Sequence, residues 1–165
     1  MKLLLKLALA STLVFANVNT EKLIIDAKNF ETDDKKGISI FTGNVKLKMG
    51  KDRLNSDKLE VFMKPNAKGK NPEPLKYIAT GNVDFTIYSN GKHYMGKGNK
   101  VIYNPKKLEY TVLGKGYLNE VTEDRKLYGE KIFINQETGN AKVSGTDNKP
   151  VRFILNIESN KKQWK

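Results

Sequence analysis

The 165-residue sequence contains no cysteine, one histidine and only three arginines, Arg53, Arg125 and Arg152. Without cysteine there is no disulfide, no thiolate metal site and no thiol nucleophile, so packing and backbone hydrogen bonding must hold the chain together. The single histidine, His93, follows an Asn90-Gly91 turn and is expected to project into solvent, a poor place for a catalytic base. Acidic residues are scattered among lysines with no metal-ligand cluster, and Asp33-Asp34 reads as a turn former. No glycine belongs to a strand–loop–helix phosphate cradle. No window beyond residue 20 shows apolar residues at helical spacing. Catalysis is disfavoured, and neither a cofactor nor a metal is expected.

Long hydrophobic runs are also missing. The opening Met1-Lys2-Leu3-Leu4-Leu5-Lys6 is basic and is followed by an apolar stretch, Leu7 to Phe15. That stretch falls short of the ~20 residues a spanning helix needs. Val14-Phe15-Ala16 fits a signal-peptidase site, so 1–16 is expected to be a signal peptide cleaved after Ala16. The alternative is an uncleaved membrane anchor. Residues 17–165 then form a single domain, long enough for a real core.

What the chain does have is lysine. With Lys2 and Lys6 set aside, 28 basic residues face 18 acidic ones, a net charge of about +10. Lysine attracts anions broadly but reads base edges poorly. The excess charge fits either a repelling, soluble surface or an anionic partner. Nucleic acid is not expected, because the export signal points away from the cytoplasm.

It also has a recurring phrase. Ser56-Asp57-Lys58-Leu59-Glu60-Val61 returns as Gly98-Asn99-Lys100-Val101-Ile102-Tyr103 and as Gly129-Glu130-Lys131-Ile132-Phe133-Ile134, with a degraded copy at Asp26-Ala27-Lys28. A second phrase alternates with it, Thr42-Gly43-Asn44-Val45 and Thr80-Gly81-Asn82-Val83, with looser echoes at Leu113-Gly114-Lys115-Gly116 and Ser144-Gly145. Between the phrases apolar residues alternate with polar ones, as in Val45, Leu47 and Met49 or Val83, Phe85 and Ile87. Ser89-Asn90-Gly91-Lys92 reads as a tight hairpin turn. Asp33 to Gly37, Asn104 to Lys107 and Gln136 to Asn140 read as turns at corresponding points of the repeat. The segment Lys64 to Pro74 breaks the rhythm with prolines and lysines and is expected to be a solvated loop. The chain is all-β, a stack of hairpin-like units that cannot bury their apolar faces alone.

Ile25-Asp26-Ala27, the two Thr-Gly-Asn-Val phrases, Ser56-Asp57-Lys58-Leu59 and Gly129-Glu130-Lys131-Ile132, in this order behind an export signal, resemble the OstA-like (LptA) family of periplasmic lipopolysaccharide-transport proteins. The resemblance spans roughly residues 22–157. It departs from the family's pattern in the 64–74 insertion, in the lost Gly-Asn-Val wording of the later units, and in Ser56-Asp57 where Ala-Asp is usual.

The resemblance implies an open twisted β-jelly roll, built from repeated antiparallel strands, whose apolar groove takes the acyl chains of lipopolysaccharide or lipooligosaccharide. The expected lining is Ile38, Ile40, Val45, Leu47, Leu59, Val61, Val83, Phe85, Ile87, Val101, Tyr103, Tyr110, Val112, Leu118, Ile132 and Ile134. Lysines near the rim would meet phosphate groups. Head-to-tail copies would pair the starting strand, with Leu23, Ile24 and Ile25, against the closing strand, with Phe153, Ile154 and Leu155. Such a bridge would run from an inner-membrane LptC-like component to an outer-membrane LptD-like one. Two readings remain beside it: a membrane-tethered LptC-like protein, and an exported lysine-rich scaffold that binds anionic glycans without a lipid groove.

Overall fold

The computed structural model describes residues 21–65 and 72–159. The expected signal peptide, the middle of the 64–74 loop with Lys68, and the tail from Asn160 lie outside the described residues. The alternating segments form ten strands and, among the described residues, no helix: β1 (Leu23–Asp26), β2 (Asn29–Asp33), β3 (Ile38–Met49), β4 (Asp52–Met63), β5 (Pro74–Ser89), β6 (Lys92–Asn104), β7 (Glu109–Glu120), β8 (Arg125–Asn135), β9 (Asn140–Ser144) and β10 (Arg152–Ile154). They make one antiparallel sheet in the order β1-β3-β4-β5-β6-β7-β8-β10, with β2 also on β3 and β9 also on β8. Each edge is thus a pair of short strands, β1 with β2 at one end and β9 with β10 at the other. No described strand joins the two edges, so the sheet is an open roll and not a barrel.

The two recurring phrases are the two sides of one bend. Each neighbouring pair from β3 to β8 shifts register at the same level: between Thr42 and Val45, Asn55 and Lys58, Thr80 and Val83, Lys97 and Lys100, and Leu113 and Gly116. An extra residue on one strand of a pair bends it and raises its twist. Repeated across six strands, these bulges fold the sheet along a line, so each long strand contributes its halves to two facing layers. Gly43-Asn44, Gly81-Asn82 and Gly114-Lys115 all adopt positive φ, near 80° and then near 50°. Gly114-Lys115 is therefore a full structural copy, although its wording has drifted. At Gly81 a Cβ would collide with the Asp57 carboxylate, and Asp57 in turn accepts a hydrogen bond from Asn82 Nδ2 at 2.9 Å.

The hairpin tips repeat as well. Asp33, Glu120 and Asn135 each accept backbone N–H groups of the turn that follows them, at 2.9–3.2 Å. Asn90-Gly91 takes the two positive φ values its sequence implied. His93 does not simply project into solvent: its ring stacks on Tyr88 with centroids 4.4 Å apart, and its Nε2 is buried.

Candidate functional site

Cross-strand partners share a face, so the register orders the interior into rows. One row beside the bend runs Phe41, Leu59, Ala79, Val101, Val112, Ile132 and Val143. Its counterpart in the facing layer runs Ile25, Leu47, Leu54, Phe85, Gly96, Leu118, Leu127 and Phe153. Gly96 has no side chain because the Phe85 ring occupies that space, with Cζ where a Cβ would stand. Farther from the bend lie Val61, Tyr77, Tyr103, Tyr110 and Ile134 in one layer and Met49, Ile87 and Tyr94 in the other. Leu59, Val45, Val112 and Ile132 are fully buried, and apart from Gly96, Met49 and the exposed edge residue Phe153 the set forms one apolar cluster.

Between the layers run two cavities. The first, of about 60 Å³, is a narrow slot lined by Leu47, Leu54, Phe85 and Ile87 from one layer and by Leu59, Tyr77, Ala79, Val101, Tyr103 and Tyr110 from the other; Asp52 and Arg53 reach it from the β3–β4 tip. The second, of about 280 Å³, opens toward the β5–β6 and β8–β9 tips, between Lys92 and Gln136. Phe85, Ile87 and Tyr110 line both, so they form the partition. Tyr77, Tyr103 and Tyr110 are stacked on adjacent strands, with centroids 5.9 and 4.2 Å apart. Burial pushes all three hydroxyls above the ordinary tyrosine range, Tyr110 furthest. Burial likewise raises Asp52, against the lowering effect of the Tyr88 N–H donated to it.

Fourteen of the sixteen expected lining residues belong to this cluster or pack against it. Ile38 and Ile40 do not. They pair with Phe62 and Glu60 on the outer face, and the inward places on that stretch go to Ser39 and Phe41. The reason lies in the bulge. On β3 the inward positions Phe41 and Val45 stand four apart, so parity is kept through the bend, and even-numbered residues stay outside. Tyr77, Ala79, Leu54 and Asp52 were not anticipated. The run Leu75-Lys76-Tyr77-Ile78-Ala79 holds the alternation that would have revealed two of them, but it directly follows the inserted loop.

Of the edge residues, Leu23 and Ile25 on β1 turn inward while Ile24 is exposed, and Phe153 and Ile154 on β10 are exposed. Leu155 lies past the end of β10, so the closing strand stops short of one of its three expected residues. The recurring lysines Lys58, Lys100 and Lys131 share an outward row beside the bend, with Thr80 and Leu113 between them, and so are not at the mouth. Among the described residues no group of three or more His, Asp or Glu is placed to hold a metal ion.

Fold and site together define an open β-jelly-roll scaffold with an apolar interior between two layers. A family model described as LptA/(LptD N-terminal domain) LPS transport protein matches residues 24–140, and the chain belongs to this family. The lipopolysaccharide export system protein LptA of Escherichia coli K12 is 29% identical over 139 residues, covering 79% of this chain and 73% of the relative. The LptA of Shigella flexneri matches to the same extent. Among solved structures, LptH of Pseudomonas aeruginosa, described as the LptA-homologous periplasmic component of the lipopolysaccharide transport device, superposes with a TM-score of 0.69. It covers 83% of this chain and 96% of LptH at 13% identity, a likeness of fold.

Proposed function

We propose that this protein carries lipopolysaccharide or lipooligosaccharide across the periplasm, holding the acyl chains between the two layers of the roll and leaving sugars and phosphates outside. The observation that carries this reading is the continuous apolar cluster inside a sheet whose two edges are free. Each methylene moved from water into such an interior contributes ~0.8 kcal/mol, so a multiply acylated lipid binds tightly without any charged anchor. The slot is narrow, and lipid enters by parting the layers. Because no ladder of hydrogen bonds closes β1 onto β10, this parting breaks none.

Head-to-tail assembly completes the proposal. The inner row that starts at Ile25 ends at Phe153, so a second copy whose β1 follows β10 prolongs the same apolar row. The stack forms a bridge between an LptC-like component at the inner membrane and an LptD-like one at the outer membrane. The protein reaches the periplasm through cleavage after Ala16, and it acts as a carrier and not as an enzyme. Binding of intact and deacylated lipopolysaccharide at low and high salt tests the lipid claim. Binding that needs the acyl chains and survives salt supports the groove. Binding that ignores deacylation and collapses with salt favours a surface glycan scaffold instead.

A further inference from the structure

The slot is not uniformly greasy. Its deep row is hydrocarbon throughout, from Leu59 through Ala79 to Val101 and Val112, whereas the next row outward carries three tyrosines in register, Tyr77 opposite Tyr103 opposite Tyr110. Phenylalanine would stack as well there. A buried phenol must find a partner for its O–H or leave it unpaired at a cost. The Tyr103 and Tyr110 rings stack with centroids 4.2 Å apart. The other polar group facing this slot is the Asp52 carboxylate on the opposite layer. Its Oδ1 accepts the Tyr88 N–H at 2.9 Å, which leaves Oδ2 for a ligand. Arg53 also borders the slot, but its guanidinium is turned to the backbone carbonyls of Gly50 and Asp52, at 2.8 and 2.7 Å.

We propose that Tyr77, Tyr103, Tyr110 and Asp52 form a hydrogen-bonding subsite that grips the amide, ester or hydroxyl group at the root of an acyl chain, and so sets how deep the lipid sits. The inference rests on the acyl-groove reading above. The tail occupies the hydrocarbon row beside the bend, and the linkage to the sugar arrives level with the tyrosines, one row nearer the mouth. A tyrosine O–H donates to the linkage carbonyl; Asp52 accepts from an amide N–H or a chain hydroxyl. Burial keeps the three phenols protonated, and therefore donors, through the physiological range. The subsite explains why tyrosines occupy three adjacent inward positions that packing alone would leave to phenylalanine.

The test compares two amphiphiles of equal chain length on the mature protein, an N-acylglucosamine with an amide-linked chain and an alkyl glucoside with no carbonyl. Calorimetric titration of the wild type is expected to show tighter binding of the amide-linked probe. The triple variant Tyr77→Phe, Tyr103→Phe, Tyr110→Phe is expected to lose about tenfold in affinity for that probe and to keep its affinity for the alkyl glucoside. Tyr103→Phe alone provides the same comparison, with a smaller loss, should the triple variant fold poorly. An unchanged preference in the variants overturns the subsite, as does an equal loss for both probes, which assigns the rings to packing only. Failure of both probes to bind folded wild type overturns the groove itself.

Discussion

Replacing Gly81 with alanine tests what the recurring Thr-Gly-Asn-Val phrase is for. Gly81 has φ near +84°, and for an L-residue a left-handed conformation costs ~1–2 kcal/mol. The new methyl would also collide with Asp57 Oδ2 and stand 2.9 Å from Asp57 Cβ. Asp57 must then swing away and give up the 2.9 Å hydrogen bond from Asn82, a further ~0.5–1.5 kcal/mol. The sum is ~1.5–3.5 kcal/mol. Gly91 supplies the control: its φ is also positive, +73°, but no atom lies within 4 Å of the place a methyl group would take. Gly91→Ala therefore carries the backbone cost alone, ~1–2 kcal/mol. Urea unfolding of both variants should place Gly81→Ala lower in stability by ~1 kcal/mol, and Asp57→Ala in the Gly81→Ala background should show coupling of similar size. Gly114→Ala should repeat the result, since its methyl would meet Asn99 Nδ2 at 2.5 Å. Equal costs for Gly81→Ala and Gly91→Ala would refute the idea that the glycine exists to let the neighbouring phrase nest beneath it.

Leu108 is a non-glycine residue at φ +51° in a turn whose counterparts at 37 and 139 are glycine, so Leu108→Gly should raise stability by ~1 kcal/mol in the same assay. Asp52 has its folded-state pKa raised above 3.8, so its charge opposes folding, and stability declines as pH rises from about that value through the folded pKa. Asp52→Asn can still accept the Tyr88 N–H; it should stabilise the protein at neutral pH and lose that advantage at a pH below 3.8. At the alkaline end the tyrosine row acts in the same direction: stability is complete below pH 10 and falls above it, because the unfolded phenols ionise first. Ultraviolet titration of the folded protein should show Tyr77, Tyr103 and Tyr110 ionising only above the ordinary tyrosine range. A truncation ending before Val151 removes β10, and sedimentation should show it less oligomeric than the intact chain.

The repeated phrases made the all-β architecture readable from the sequence, because a bulge leaves a local mark, a left-handed glycine with a small residue opposite it; the open roll came only from what the family resemblance implies. Which residues face inward was legible wherever alternation ran unbroken to a phrase, as in Val83-Asp84-Phe85-Thr86-Ile87. It failed at Ile38 and Ile40, where isoleucine stands on the outer face beside Phe62 and Ile78 and hydrophobicity no longer distinguishes the two sides. Only the pairing of Phe41 with Leu59 resolves that choice, and pairing is a long-range property. Asp52 escaped notice for a related reason: a carboxylate in a lysine-rich hairpin reads as solvent-facing until the opposite layer is folded over it. The drifted Gly114-Lys115 copy shows the converse, a conformation kept after its sequence signature has faded.

The most direct test of the lipid-carrying account is site-specific photocrosslinking to lipopolysaccharide in the periplasm, with the probe at Val101 and then at its neighbour Ile102. Val101 pairs with Ala79 and Val112 inside the roll, whereas Ile102 pairs with Ile78 and Thr111 on the outer face. The account predicts lipid adducts at Val101, and at Phe85 across the slot, with none at Ile102. Adducts at Ile102 with none at Val101 or Phe85 would contradict it.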